Sequence, residues 1–96
     1  MRRRNEADIK ELLQLFLRES QLETPLNEYR LINSWEKVAG KVVQRYTDGL
    51  RIHNQKLIVR LKSPALRSDL MMRRQELVKK LNEEVGANVI FDIEFH

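Results

Sequence analysis

Residues 48–62 alternate between apolar and polar side chains in a pattern that predicts a β-hairpin with two different faces. The apolar face comprises Leu50, Ile52, Leu57, Val59 and Leu61. The opposite face is basic around one isoleucine and comprises Arg51, His53, Ile58, Arg60 and Lys62. Asn54-Gln55 occupies the place of a two-residue turn, although Asn-Gly would be the stronger turn pair. Because an isolated hairpin is only marginally stable in water, we expect the flanking helices to cover its apolar face.

A first helix is predicted from about Asn5, which can cap it, with a frayed basic arm at Arg2–Arg4 before it. Its apolar stripe at helical spacing comprises Ile9, Leu12, Leu13 and Phe16, and Leu15 and Leu17 widen it. Two interpretations stay open. The helix is wedged between two surfaces of its own domain, or it presents a face to a partner or to a second copy.

A second helix is predicted to start with Thr24 as N-cap and Pro25 at its first position. Its stripe comprises Leu31, Ile32, Trp35, Val38, Ala39, Val42 and Tyr46. Gly40 lies inside this pattern, where glycine costs about 1 kcal/mol relative to alanine. Either the helix bends at Gly40 or another backbone packs closely against it. Trp35 lies on the stripe, which favours a core anchor over a base-stacking residue. Thr47–Gly49 is predicted to be a turn into the hairpin.

A third helix is predicted to follow Ser63-Pro64 and to end near Gly86. Its stripe comprises Leu66, Leu70, Leu77, Leu81 and Val85. At about 22 residues it would be about 33 Å long and would cross the whole sheet. Arg73 and Arg74 fall in a gap of the stripe. Two interpretations stay open. The aliphatic parts of their side chains cover apolar surface, or this end of the helix forms a binding edge together with Arg67.

Residues 89–95 give the clearest strand pattern in the chain. Val89, Phe91, Ile93 and Phe95 are predicted to face inward, and Asp92 and Glu94 outward. The two carboxylates would cancel part of the basic face if they paired with Arg51, Arg60 or Lys62, and the strand order decides this. The element order is helix, helix, strand, strand, helix, strand. It predicts an α+β fold of two layers, with the helices on one face of a three-stranded sheet.

The 96 residues are enough for one domain that buries its own core. There is no cysteine, and neither a bilayer-spanning apolar run nor a signal-peptide pattern is present, so we expect a cytoplasmic protein. The charge is uneven. Residues 1–36 have a net charge of −1 and residues 75–96 of −3, whereas residues 37–74 hold ten basic and two acidic side chains, a net charge of +8. Such a concentration indicates a polyanionic partner or a solvated basic face.

Catalysis is the least supported class of function. The chain has two histidines, His53 and His96, and neither has acidic residues at a spacing typical of a triad or metal site. No glycine-rich phosphate loop occurs. We therefore expect no catalytic residues, no metal and no cofactor.

Nucleic-acid binding is supported by the basic middle segment, with phosphate contacts that are sequence-independent and weaken with salt. The predicted site residues are Lys41, Arg45, Arg51, His53, Arg60, Lys62, Arg67, Arg73 and Arg74. Base stacking has little support, because only Tyr46 is an aromatic candidate outside the predicted core. A protein-interaction module is also supported, by the wide apolar helix 9–17, by Met71-Met72 and by Ile58, which is predicted to be exposed.

Several of these segments together resemble one family. They are Trp35–Gly40, Tyr46-Thr47, the strand Lys56–Leu61, Ser63, Leu66–Leu70, Leu81-Asn82 and Gly86. Their order and spacing are similar to those of the DciA family, once a domain of unknown function. Leu66–Leu70 looks like the short forms in Bacteroidetes-type bacteria. The resemblance covers about residues 31–95.

The resemblance implies a KH-like domain and a non-enzymatic accessory protein of DNA replication. Such a protein binds the DnaB-type replicative helicase, assists its loading on DNA, and itself binds single-stranded or forked DNA near the nucleoid, with no membrane partner. Residues 1–96 would form one domain, with a basic arm at 1–5, a helical part at 6–30 and the family core at 31–96. The alternative is a stand-alone KH-like module that binds RNA or DNA without a helicase. A homodimer stays open.

The chain departs from the family pattern in three ways. It has no tail after His96, so helicase contact must come from the domain or from residues 1–30. It lacks the cysteine-rich ribbon of some relatives, so no zinc is expected. The Gly-x-x-Gly loop with which KH domains clamp a nucleic-acid backbone is absent as well.

Overall fold

The computed structural model describes residues 9–13 and 23–96 of the chain. Residues 9–13 are helical. The further elements are α1 (Glu23–Asn33), α2 (Trp35–Ala39), α3 (Lys41–Arg45), β1 (Thr47–His53), β2 (Lys56–Leu61), α4 (Pro64–Met72), α5 (Arg74–Val85) and β3 (Asp92–Phe95). The predicted α+β class and the order α-α-β-β-α-β are confirmed, although two of the predicted helices are divided.

The sheet has the strand order β1-β2-β3, so the central strand is β2. β1 and β2 are antiparallel, whereas β2 and β3 are parallel. His53 pairs with Lys56, so Asn54-Gln55 forms the predicted two-residue turn. Both turn residues have positive φ, 51° and 60°, as a type I′ turn requires. This turn sets the register that places Leu50 opposite Val59.

The register shifts between Thr47 and Gly49, which leaves Asp48 in a bulge of β1. The predicted turn at 47–49 is therefore wrong, because these residues already belong to the strand. The bulge lets Thr47 pair with Leu61 while Gly49 pairs with Arg60.

The core lies between the helices and one face of the sheet. Its buried side chains are Leu31, Trp35, Val43, Leu57, Val59, Leu61, Leu70, Leu77, Val78, Leu81, Val85, Val89, Ile90 and Ile93. Trp35 is fully buried, as predicted. Its Nε1 donates a hydrogen bond to Thr47 Oγ1 over 3.0 Å, and that hydroxyl donates to the Val43 carbonyl over 2.7 Å. One polar chain thus joins α2, α3 and the start of β1.

The predicted second helix is interrupted at Ser34 and at Gly40. Gly40 has φ 102° and ψ 162°, a conformation that essentially only glycine adopts. A Cβ there would meet nothing within 4 Å, so the prediction of a closely packed backbone is wrong and the break in the helix is the reason for the glycine. After the break the buried position is Val43. Val42, which was predicted to be core, is 59% exposed, and Tyr46, at the end of the predicted stripe, is 43% exposed.

The predicted 33 Å third helix is also wrong, since Arg73, with φ −103° and ψ 13°, separates α4 from α5. Its ends were predicted correctly. The Ser63 hydroxyl accepts a hydrogen bond from the Leu66 N–H over 3.2 Å, and Pro64 follows at the first helical position. Gly86 ends α5 in the left-handed conformation, with φ 81°.

The first predicted helix is compared with the structure by the exposure of its apolar residues, and the second by the residue at which it begins. Ile9, Leu12 and Leu13, whose stripe was predicted either to be wedged within the domain or to face a partner, are 56%, 45% and 53% exposed. The arm at Arg2–Arg4, the cap at Asn5 and the apolar residues Leu15, Phe16 and Leu17 lie outside the described residues. α1 begins at Glu23, two residues before the predicted first position at Pro25.

The last strand is shorter than predicted because Asn82 binds the segment before it. The Asn82 side chain accepts hydrogen bonds from the Val89 and Ile90 N–H groups over 3.0 and 3.2 Å and donates to the Ile90 carbonyl over 2.8 Å. Val89 and Ile90 are consequently both buried, which interrupts the alternation. Phe91 turns outward and is 56% exposed, so its predicted inward orientation is wrong.

Across the described residues, the helices are all too short or too polar to cross a bilayer.

Candidate nucleic-acid interface

The sheet face opposite the core carries nine residues in three rows. His96 donates a backbone hydrogen bond to the Val59 carbonyl and accepts one from the Leu61 N–H, each over 2.8 Å, so it lies beside Arg60. Together with the register, this gives the rows Gly49–Arg60–His96, Arg51–Ile58–Glu94 and His53–Lys56–Asp92. The predicted basic face is therefore present, with β2 as its middle column. Ile58, predicted to be exposed, is only partly so.

A shallow depression of about 310 Å³ lies on this face. It is lined by Gly49, Leu50, Arg51, Ile58, Arg60 and His96. Arg51 and Arg60 are diagonal neighbours on adjacent strands, and positions so related are about 7–8 Å apart, within reach of long side chains. Gly49 contributes no side chain to its row, which leaves space beside Arg60. Two exposed guanidinium groups at one depression can hold an anion with several donors.

Ion pairs divide the basic residues into two groups. In the part of the chain that the structure describes, five lysine or arginine ion pairs and one histidine–carboxylate contact lie within 4.0 Å, and each takes its carboxylate from residues 73–96. They are Lys37–Glu84, Lys56–Glu94, Arg73–Glu76, Arg74–Asp92, Lys80–Glu76 and His96–Glu94. We call residues 73–96 the paired segment. Residues 41–67, the cationic segment, hold seven lysines and arginines against Asp48 alone.

Asp92 and Glu94 do not neutralise the β1 side of the face. Both were predicted to be potential partners of Arg51, Arg60 or Lys62. Instead, Asp92 binds Arg74 over 3.1 Å, and Glu94 lies 3.6 Å from Lys56 and 3.4 Å from His96. The strand order explains this, because β3 pairs with β2 and lies away from β1.

Most of the predicted site residues fall in the cationic segment. Arg51, His53 and Arg60 lie on the open sheet face. The Lys62 N–H donates to the Tyr46 carbonyl over 2.9 Å, which holds the end of β2 beside the last turn of α3. Lys41 and Arg45 are exposed residues of α3. Of the cations in this segment, only Lys56 has a carboxylate within 4.0 Å among the described residues.

Three predicted site residues differ from this group. Arg67, in the first turn of α4, is half-buried, and its Nε–H is buried without a hydrogen-bond partner among the described residues. Arg73 and Arg74 lie at the junction of α4 and α5 and have carboxylate partners, Glu76 over 3.9 Å and Asp92 over 3.1 Å. The charges of Arg73 and Arg74 are therefore paired, unlike those of the predicted site residues of the hairpin.

Acidic side chains do not build a metal site in the described part of the chain. Within residues 9–13 and 23–96, no three histidine, aspartate or glutamate side chains are grouped so that they could hold a metal ion. The Lys80 ammonium donates a hydrogen bond to Glu76 and attracts its charge, and together with Arg73 it lowers the pKa of this fully exposed carboxyl. Such a shift belongs to a surface ion pair.

Two residues of this surface were absent from the predicted site. Lys56 lies in the middle column, and its Nζ is 5.8 Å from the centre of the Phe91 ring. Its pairing with β3 depends on strand order, which the sequence pattern does not contain. Phe91 was assigned to the core because residues 89–95 alternate. The Phe91 side chain points outward because Val89 and Ile90 before it are both buried. Their burial follows from the hydrogen bonds of Asn82 to their N–H groups.

Among curated proteins, none matches this chain. The chain does match the protein family described as Dna[CI] antecedent, DciA, and the match covers residues 8–95. It extends beyond residues 31–95, where the motifs that carried the resemblance lie, and includes the helical residues 9–13 and α1. The chain therefore belongs to the DciA family, whose role is in the loading of the replicative helicase.

Proposed function

We propose that this chain is a non-enzymatic accessory protein of bacterial DNA replication that binds a DnaB-type helicase in the cytoplasm and assists its loading or activity on DNA. We further propose that its KH-like domain holds single-stranded or forked DNA weakly and without sequence preference. Family membership supports the first part. The second part rests on one observation, namely that carboxylates neutralise the paired segment but leave the cationic segment largely uncompensated.

Phosphate groups are the chemical partners that fit the cationic segment best. Its cations lie on consecutive elements, from α3 through the hairpin to α4, and most of them are exposed. Long-range attraction and direct phosphate contacts both follow from such a surface, and both weaken as salt rises. The residues proposed to contact DNA are Lys41, Arg45, Arg51, His53, Arg60, Lys62 and Arg67. Arg73 and Arg74 are proposed to contribute less, because their charge is already paired.

The helicase contact is proposed to use a surface other than the open sheet face. The described chain exposes apolar side chains on its helices, notably Met72, which is 88% exposed, and Ile9, Leu12 and Leu13 on the N-terminal helical residues. Methionine and leucine side chains adapt well to a partner surface. With DNA on one side and helicase on another, the domain could hold both at once.

The test is a binding titration with a fluorescent oligonucleotide over a series of salt concentrations. The variant Arg60→Glu/Lys62→Glu should lower the affinity at low salt about tenfold or more. It should also reduce the slope of log affinity against log salt by about 0.7 for each phosphate of a single strand that the variant no longer neutralises. The matched control is Lys79→Glu/Lys80→Glu, which reverses the same number of charges on α5 and should change both values much less.

The same variants are then titrated against the replicative helicase, with and without a forked DNA. We expect the wild type to bind the helicase below micromolar concentration and to retain more of it on the fork. Loss of helicase binding in Arg60→Glu/Lys62→Glu, with DNA affinity intact, would assign the basic face to the helicase instead. DNA binding without any helicase binding at tens of micromolar would leave the stand-alone nucleic-acid module.

A further inference from the structure

We infer that Phe91, with Lys56 beside it, is a stacking platform for one base of a single strand. This inference rests on the proposed function, because it assumes that a strand crosses the open sheet face. The cationic residues can hold phosphates, but they give no reason to prefer an unpaired strand to a duplex. An exposed aromatic ring at the margin of the same face supplies one, because only unpaired bases offer their faces for stacking.

Phe91 is held outside the core by its neighbours. Its N–H donates to the Gln55 carbonyl at the tip of the hairpin over 2.9 Å. The preceding residue, Ile90, is bound at both its N–H and its carbonyl by the Asn82 side chain. The following residue, Asp92, pairs with Arg74. The ring thus projects from a backbone fixed on both sides, so stacking a base on it requires little ordering of the protein.

The surroundings of the ring suit a base better than a phosphate. Lys56 Nζ lies 5.8 Å from the ring centre, which is within the range of cation–π attraction. Lys56 and Arg74 are matched by Glu94 and Asp92, so the local charge is close to zero. The unmatched cations Arg51 and Arg60 lie in the other two rows of the face, toward the opposite end of the strands. Arg60 is four residues from Lys56 along β2, about 13 Å. A strand that runs along the hairpin can therefore keep its backbone at Arg51 and Arg60 while one base reaches Phe91.

The experiment compares two labelled single strands of equal length, one with bases and one in which every base is missing, at each of several salt concentrations. Base stacking on an aromatic side chain is worth roughly fivefold or more in affinity. The wild type should prefer the strand with bases by at least that factor. Phe91→Ala should lose this preference yet bind the abasic strand as the wild type does, with an unchanged salt dependence. Phe91→Trp should keep the preference.

Two further variants make the result specific. Met72→Ala removes another exposed apolar side chain and should leave the preference intact. Tyr46→Ala removes the rival aromatic residue, which is 43% exposed next to the cationic segment. The inference is overturned if Phe91→Ala retains the preference, if Tyr46→Ala abolishes it, or if Phe91→Ala weakens helicase binding while the preference is unchanged.

The experiment distinguishes failure of the base-stacking inference from failure of the proposed nucleic-acid binding. A wild type that binds both strands equally contradicts stacking and leaves the phosphate contacts standing. A wild type that binds neither strand at low salt contradicts nucleic-acid binding itself, and stacking with it. A denaturant midpoint for Phe91→Ala close to that of the wild type shows that the variant is folded, so the absence of the preference then reports the missing ring.

Discussion

The cationic segment and the paired segment are both rich in charged side chains, yet they neutralise their charge differently. The cationic segment has a net charge of +6 over residues 41–67, and only Lys56 has a carboxylate partner there among the described residues. The paired segment has a net charge of −1 over residues 73–96 and supplies the carboxylates of all five lysine and arginine ion pairs of the described chain. Charge that is neutralised within the molecule serves the fold, whereas uncompensated charge is available to a partner.

The two segments also differ in what fixes their backbone. Trp35 and Thr47 attach the start of the cationic segment to the core through a fully buried indole. In the paired segment, the side chain of Asn82 binds the loop that leads to β3. Apolar burial dominates the first region and a polar network the second. Substitutions can therefore test whether the two regions depend on different forces.

The largest effect is expected for Trp35→Ala. Removing a fully buried tryptophan should lower the free energy of unfolding by about 3–5 kcal/mol, because a cavity forms beneath β1. Phe91→Ala, which removes a half-exposed ring, should cost less than about 1 kcal/mol. Urea unfolding, followed by circular dichroism, measures the free energy of unfolding of both variants. If Trp35→Ala does not fold, Trp35→Phe should fold with a loss of about 1–3 kcal/mol, since it lacks the N–H that Thr47 accepts.

Asn82→Ala is expected to have the next largest effect, about 2 kcal/mol, because it removes the partner of the Ile90 N–H and of the Ile90 carbonyl and leaves the Val89 N–H only its bond to the Ala87 carbonyl. Asn88→Ala, at an exposed position in the same loop, is the matched control and should change the free energy of unfolding by less than about 0.5 kcal/mol. Equal effects of the two substitutions would show that the loop is not fixed by Asn82. Hydrogen exchange of Val89 and Ile90 should quicken in Asn82→Ala alone.

Gly40, directly before the cationic segment, and Gly86, in the paired segment, allow a direct comparison of backbone strain. Alanine at Gly40 should cost about 2 kcal/mol, because φ 102° with ψ 162° lies in a region almost confined to glycine. Alanine at Gly86 should cost about 1 kcal/mol, because φ 81° with ψ 24° is left-handed helical and more tolerant. A Cβ at either position meets nothing within 4 Å, so steric contact does not contribute. Urea unfolding measures both variants, and an equal loss of stability in the two would contradict this ranking.

The sequence pattern predicted those features that depend on local periodicity. The hairpin, its two faces and its turn follow from alternation, and the caps at Ser63 and Gly86 follow from residue type. It did not predict the break at Arg73, because Leu70 and Leu77 keep helical spacing on either side of the gap at Arg73 and Arg74. Nor did it predict that Val43 replaces Val42 in the core, since the backbone of Gly40 rotates the following turn.

The candidate site was harder to predict than the fold, since it depends on strand order. Arg60 and Arg74 are both arginines in a basic stretch, and no local feature of the sequence separates them. They differ because β3 lies beside β2, which brings Asp92 to Arg74 and keeps it from Arg60. Phe91 shows the same limit. Its outward direction follows from contacts made by Asn82, nine residues earlier in the chain.

The smallest effect is expected in the paired segment, for Lys80→Met. Lys80 donates a hydrogen bond to Glu76 and lowers the pKa of its carboxyl below the ordinary value of 4.5, with a lesser contribution from Arg73. A lowered folded-state pKa adds stability that is complete above the unfolded-state pKa and is lost as the pH falls through the folded-state pKa. Because Glu76 is fully exposed, solvent screens this contribution and we expect only a slight change in the pH dependence of unfolding. Titration of Glu76 by NMR should show its pKa returning toward 4.5 in Lys80→Met, but not in the control Lys79→Met. A pKa that stays lowered in Lys80→Met would instead assign the shift to Arg73.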